Sequence, residues 1–176
     1  MKSSGLKRGI LCAAVLILGV MVAIPASAAP GERKGFFFGL GVGYGQTSWG
    51  TNHGGVVGNL KVGYAPTNQV LIMFQSAGTY FKGNDGDLRD DGMGSVGVQI
   101  YFTKTSGRGG YAIASVGYHN LIKFDPATNN FGIGIRGGVG YEFVKHWTVE
   151  AFVQHGFNTK VQSPTSFGVT LNWLFY

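Results

Sequence analysis

The chain has 176 residues, 31 of them glycine, with only 14 basic and 8 acidic side chains and a formal net charge of +6. At 44% hydrophobic and 14% aromatic it is too apolar for intrinsic disorder, and glycine without a three-residue period or abundant proline excludes collagen. Glycine at this density also argues against a helical bundle, where each interior glycine costs roughly 1 kcal/mol against alanine, so a single all-β domain is expected.

Residues 1–28 stand apart from that domain. Lys2, Lys7 and Arg8 precede an uncharged apolar run over 10–24, Pro25 breaks it, and Ala26-Ser27-Ala28 supplies small residues. The pattern reads as a secretory signal peptide cleaved after Ala28. The run is shorter than the ~20 residues of a spanning helix, and Cys12 lies at its start, so no lipoprotein acceptor follows it. Removing the segment halves the net charge and takes the one cysteine with it. The basic balance is therefore no nucleic-acid footprint, and residues 29–176 hold neither a disulfide nor a Cys-type metal site.

Eight strands follow from period-two alternation. The first, about 35–46, sets Phe36, Phe38, Leu40, Val42 and Tyr44 against Phe37 and four glycines. The second, about 55–65, opposes Val56, Leu60, Val62 and Tyr64 to Asn59, Lys61 and Gly63. The third, about 70–81, carries Val70, Ile72, Phe74 and Tyr80, but its opening run is apolar on both faces and leaves the register open. The fourth, about 93–103, has Val96, Val98, Ile100 and Phe102 against Ser95, Gly97, Gln99 and Tyr101; the fifth, about 110–119, is ambiguous. In the sixth, Phe131, Ile133, Ile135, Val139, Tyr141 and Phe143 face away from Arg136, Glu142 and the glycines between them. The seventh opposes Trp147, Val149, Ala151 and Val153 to Thr148, Glu150, Phe152 and Gln154. The eighth, about 166–176, opposes Phe167, Val169, Leu171, Trp173 and Phe175 to Gly168, Thr170, Asn172 and Leu174.

The connections at 65–69, 104–109 and 144–146 are short, whereas those near 46–54, 82–92, 120–130 and 156–165 run to about nine to twelve residues. Short turns at one end and longer loops at the other are the pattern of a bacterial outer-membrane barrel. The short-turn end, periplasmic on this reading, gathers Phe36, Tyr64, Phe102, Tyr141, Phe143, Trp147 and Phe175, an expected interfacial girdle. The opposite face of the strands carries Lys61, Gln99, Arg136, Glu142, Glu150 and Gln154 among glycines. That is too little charge to solvate the exterior of a soluble barrel, but it suits a narrow lumen. Lys61 and Arg136 are expected to pair there with Glu142 and Glu150, because an unpaired charge in such a space is expensive.

Gly138-Val139-Gly140-Tyr141-Glu142-Phe143, a tight turn, then Trp147-Thr148-Val149-Glu150-Ala151 resembles the sixth and seventh strands of OmpA/OmpX-like outer-membrane barrels. The segment 166–176, with Phe167, Val169, Leu171, Trp173 and Phe175, is similar to their last strand, though here Tyr176 follows the outward aromatic. The resemblance implies an eight-stranded antiparallel transmembrane up-and-down β-barrel in the outer membrane of a Gram-negative bacterium. It implies recognition of that last strand by the barrel-assembly machinery, and outer-membrane lipids and lipopolysaccharide as partners. A monomer is expected, with no nucleic-acid partner and no cofactor. Eight strands leave room only for side chains, so function is expected in the four longer loops or on the lipid-facing surface, with a narrow small-solute channel as an alternative.

Asp85, Asp87, Asp90 and Asp91 crowd one segment with Lys82 and Arg89. Oxygen ligands suit calcium or magnesium, but the spacing matches no EF-hand, and a solvated acidic loop is the preferred reading. His53, His119, His146 and His155 share no metal-ligand spacing, and His146 is expected in the tight turn. Eight-stranded lipid A deacylases carry His-x-Ser-Asn on a comparable late strand, whereas this chain has His155-Gly156-Phe157-Asn158, with Ser163 and Ser166 nearby in sequence. Phenylalanine stands where the nucleophile is needed, and parity puts His155 outward beside Val153. The expected function is therefore non-enzymatic, with a deacylase-like hydrolase as the alternative.

Overall fold

A strand with one apolar and one polar face must cover one of them, and here the strands do so by closing on themselves. The computed structural model describes residues 32–49, 51–124, 127–158 and 163–176; the signal-peptide reading lies outside these residues. The elements are β1 (Gly35–Thr47), β2 (His53–Ala65), β3 (Val70–Lys82), β4 (Leu88–Tyr101), β5 (Gly109–Phe124), β6 (Ala127–Val144), β7 (Trp147–Asn158) and β8 (Thr165–Phe175). Each pairs antiparallel with its sequence neighbours, and β1 closes on β8, giving an eight-stranded all-β barrel. Closure leaves no row of unpaired backbone groups at an edge.

The apolar parity points outward: Val42, Ile133 and Val139 are each 60–64% exposed. The polar parity fills the lumen, where Lys61, Gln99, Arg136, Glu142, Glu150 and Gln154 are all buried. The two ambiguous strands take their faces from their partners, since a one-residue slip would invert every side chain. Ile72 stands between Tyr64 and Val98, so Leu71 and Met73 turn inward. Val116 stands beside Val96 and Ile135, so Tyr111, Ile113, Ser115 and His119 turn inward.

The loop lengths differ from expectation. β4 begins at Leu88, β5 runs to Phe124 and β6 starts at Ala127, so the connections reduce to 48–52, 83–87, 125–126 and 159–164. At the other end they are 66–69, 102–108 and 145–146, and the asymmetry between the ends disappears. The cause is physical. Hydrophobic alternation stops where strands leave an apolar layer, but ladder hydrogen bonding does not, and it continues through pairs such as Arg89 with Lys123.

Phe36, Tyr64, Phe102, Tyr141, Phe143, Trp147 and Phe175 are all exposed around the end where β1 starts and β8 finishes, with Phe36 and Tyr64 in edge contact at 5.2 Å. A second exposed set, Tyr44, Tyr80, Tyr118, Phe131, Phe157 and Phe167, rings the opposite end. In β6, Phe131 and Tyr141 stand ten positions apart, which matches the roughly 9–11 residues that a tilted strand needs to cross a bilayer.

Inward glycines make room for the large side chains that cross the lumen. A Cβ on Gly140 would lie 2.2 Å from Cζ of Tyr111, and one on Gly156 would lie 2.3 Å from Nδ1 of His119. The Tyr111 ring is held against Tyr101 at 5.0 Å and bonded to Glu150, so it has little freedom to retreat. Gly140→Ala is therefore expected to destabilise the barrel by about 1–3 kcal/mol through overpacking. Gly137→Ala, where the nearest atom to the new Cβ is 3.9 Å away, should be close to neutral in the same urea titration in detergent.

Candidate functional site

The lumen holds three tiers of polar groups. At the end where β1 begins, Arg33 is fully buried and its guanidinium reaches Glu142 through Nε at 2.9 Å and Nη2 at 2.5 Å. The same group donates to the carbonyls of Asn68, Thr103 and Thr105, and lies 3.7 Å over the Tyr101 ring. The Tyr176 hydroxyl donates to the other oxygen of Glu142, which also accepts from the His146 backbone N–H at 3.3 Å. His146 sits in the Lys145–His146 turn at φ 74° and bonds the Leu174 carbonyl through Nδ1 at 2.8 Å. One carboxylate thus joins the segment before β1, the residue after β8 and the β6–β7 turn.

In the middle tier, Glu150 accepts from Lys61 at 2.5 Å, from Arg136 at 3.2 Å and from the Tyr111 hydroxyl at 3.1 Å. Lys61 also reaches Gln99 Oε1 at 3.4 Å, and the Arg136 guanidinium lies 3.7 Å over Phe152. Both lumenal cations expected to divide between Glu142 and Glu150 therefore bind Glu150, while Glu142 takes Arg33. The sequence reading missed Arg33, which precedes the first strand and lies outside any alternation.

In the upper tier, Asp91 accepts from Thr47 at 2.6 Å and from Ser166 on one oxygen, and its other oxygen meets His119 Nε2 at 2.7 Å and Gln154 Nε2 at 3.5 Å. Thr47 and Ser166 are direct partners across the β1–β8 seam. The residue types are those of a hydrolytic triad, but the order is wrong. A nucleophilic serine needs the histidine at its hydroxyl, whereas here Asp91 lies between them and itself accepts the hydrogen bond from Ser166. His155 is no substitute: it bonds Thr165 Oγ1 at 2.9 Å and packs edge-on to the exposed Phe157 at 4.6 Å, while Ser166 faces the lumen.

The four clustered aspartates are dispersed. Asp91 points into the lumen and Asp90 onto the outer wall, while Asp85 and Asp87 stay in the 83–87 turn with Lys123, at 3.0 and 2.7 Å. Arg89 bonds Asp85 at 2.6 Å. Among the described residues, no three His, Cys, Asp or Glu side chains are grouped to hold a metal ion. Lys123 foremost, then Arg89, holds the Asp85 carboxyl well below the ordinary aspartate range. A lowered folded-state pKa contributes stability that is present above the unfolded value and lost as pH falls through the folded one. Acidification from about pH 5 to pH 2 is therefore expected to lower the amide protection factors of this hairpin, taken against the intrinsic exchange rate at each pH, and Asp85→Asn should remove most of that dependence.

No family model and no curated protein matches the sequence. Solved structures do. Neisserial surface protein A matches with a TM-score of 0.60 at 13% identity, over 81% of this chain and 98% of its own. The fold is that of eight-stranded outer-membrane β-barrels. Ail, the attachment invasion locus protein of Yersinia pestis, gives 0.55 at 14% identity over 81% of this chain and all of its own. The outer membrane enzyme PagL gives 0.53 at 14% identity over 77% and 98%. At these identities the likeness is one of fold. An outer-membrane barrel of this size carries its outward apolar band and lumenal charges as general features, and the three tiers are this chain's own way of filling the lumen.

Proposed function

We propose that the protein is a non-enzymatic barrel of the Gram-negative outer membrane. On this reading residues 1–28 export it, the barrel-assembly machinery receives it through the 166–176 motif, and it works as a monomer with the Gly35 end toward the periplasm. Its hairpins and outer wall then meet lipopolysaccharide and other envelope components. One observation carries the reading: an apolar outer wall encloses a lumen occupied at three levels by hydrogen-bonded polar side chains, with buried ion pairs at two of them. Such a wall has no stable place in water, and such a lumen offers solutes no open path.

Expressed in a Gram-negative host, the protein is expected in the outer-membrane fraction, with a gel mobility that changes on boiling. Recovery as a soluble periplasmic protein would overturn the proposal. Planar bilayers should show no discrete conductance steps; steady steps would put the channel reading in its place. Lipid A mass spectra should be unchanged on overexpression, since among the described residues His155 bonds Thr165 rather than a serine and Phe157 occupies the nucleophile position. A changed acylation pattern abolished by His155→Ala would instead establish the hydrolase.

A further inference from the structure

The outer wall is not uniformly studded with large apolar side chains. Where β2, β3 and β4 run side by side, the outward positions are Gly58, Gly78, Gly92 and Gly94, with Gly58 paired to Gly78 and Gly78 to Gly92. Missing side chains leave a recess of about 480 Å³ in the wall, bounded by Leu60 and Tyr80, within the roughly 300–1,000 Å³ range of small-molecule sites. Asp90 lies in it. Although its position is outward, the residue is only 7% exposed, because the carboxylate folds down onto the glycine floor. A Cβ on Gly78 would stand 2.5 Å from its Oδ1, and one on Gly92 would stand 2.9 Å from its Oδ2.

The carboxylate is under-satisfied. Oδ2 accepts from the Asn120 amide at 3.5 Å, while Oδ1 is buried with no hydrogen-bond partner. No basic side chain lines the recess. A carboxylate on the lipid side of a barrel is costly unless a donor, best a positively charged one, meets it. The recess therefore offers a glycine-floored trough, edged by Leu60 and Tyr80 with Ser76 and Asn120 also lining it, that ends in one unneutralised acceptor at the level of the Tyr80 ring directly across the strand pair.

We propose that this recess binds an amphiphile bearing a primary ammonium group, with its alkyl chain on the Gly58–Gly78–Gly92 floor and its N–H donated to Asp90 Oδ1. The proposal rests on the outer wall facing lipid, as in the reading above. Its test uses the refolded barrel in micelles, so it stands or falls separately from the cellular location.

The test follows backbone amide shifts by NMR in neutral maltoside micelles during titration with dodecylammonium. Saturable shifts are expected at Gly58, Gly78, Gly92 and Asn120. Asp90→Asn should weaken apparent affinity at least tenfold. Gly94→Leu should abolish binding by filling the recess; it is expected to fold, since a Cβ there meets nothing nearer than Phe74 at 3.7 Å. Heat-shifted gel mobility checks the folding of both variants. Dodecyltrimethylammonium, which keeps the charge but has no N–H, should bind at least tenfold more weakly, as should dodecanol. Equal binding by either, or undiminished binding by Asp90→Asn, would overturn the assignment. Lysophosphatidylethanolamine set against lysophosphatidylcholine then separates the sources. Matching shifts from the ethanolamine lipid alone identify a lipid headgroup, and shifts from dodecylammonium alone identify a free alkylamine.

Discussion

Glu150→Ala is expected to be among the most damaging single substitutions in the barrel, costing about 3–5 kcal/mol, because it leaves two cations buried without their shared anion. Lys61 and Arg136 are each about 1% exposed at the side chain, so water cannot take over the role of the carboxylate. Tyr111 loses its acceptor at the same time. The measurement is the urea midpoint of the heat-modifiable folded band in detergent. Removing the whole group should behave differently from breaking it. The triple variant Lys61→Met, Arg136→Met, Glu150→Leu carries no stranded charge, and buried ion groups replaced by apolar side chains of similar volume are often neutral or stabilising. Recovery of most of the lost stability in the triple variant would show that the single-site cost is one of orphaned charge rather than lost attraction. A triple variant as unstable as Glu150→Ala would show that the polar geometry itself is required.

The second large effect is expected at Arg33. Its guanidinium serves Glu142 and three backbone carbonyls from two turns, and stacks on Tyr101. Arg33→Ala strands the Glu142 carboxylate and releases those carbonyls, so a loss of about 3–5 kcal/mol is expected. Arg33→Lys keeps the charge but presents a compact ammonium in place of a planar fork, and should recover less than half of that loss. The check is the same denaturation series, with amide exchange in 66–69 and 102–108 as a local readout. Exchange there should rise in both variants, while the β1–β2 ladder far from the mouth is affected only through global opening.

Parity alone identified the wall, because a residue's face is a local property that repeats every second position along a strand. It says nothing about height along the barrel axis or about which strand lies across the lumen. Those depend on strand tilt and stagger, and this is why Glu150 rather than Glu142 receives Lys61. Arg33 had no signal at all, since a side chain ahead of the first strand belongs to no alternating series. Asp90 and Asp91 looked like loop residues because they are polar. In the structure they continue β4, and their adjacency sends one carboxylate to each face of the wall. Glycine was the most informative residue type: inward at Gly140 and Gly156 it clears space for crossing side chains, and outward at Gly58 and Gly78 it opens the recess beneath Asp90.

The β1–β8 seam carries a consequence for register. A slip of two residues along that seam would keep every side chain on its proper face, so hydrophobic alternation is blind to it. The carboxylates are not. Asp91 is held by Thr47 and Ser166, which face each other at one end of the seam, and Glu142 is held by Arg33 and Tyr176, which flank its other end. A two-residue slip would move one member of each pair by roughly 6–7 Å along its strand. Each acid would then be left buried without one of its two seam partners. The two carboxylates, contributed by β4 and β6, thus act as gauges read against both sides of the joint, and they distinguish the correctly closed ring from its nearest in-phase error.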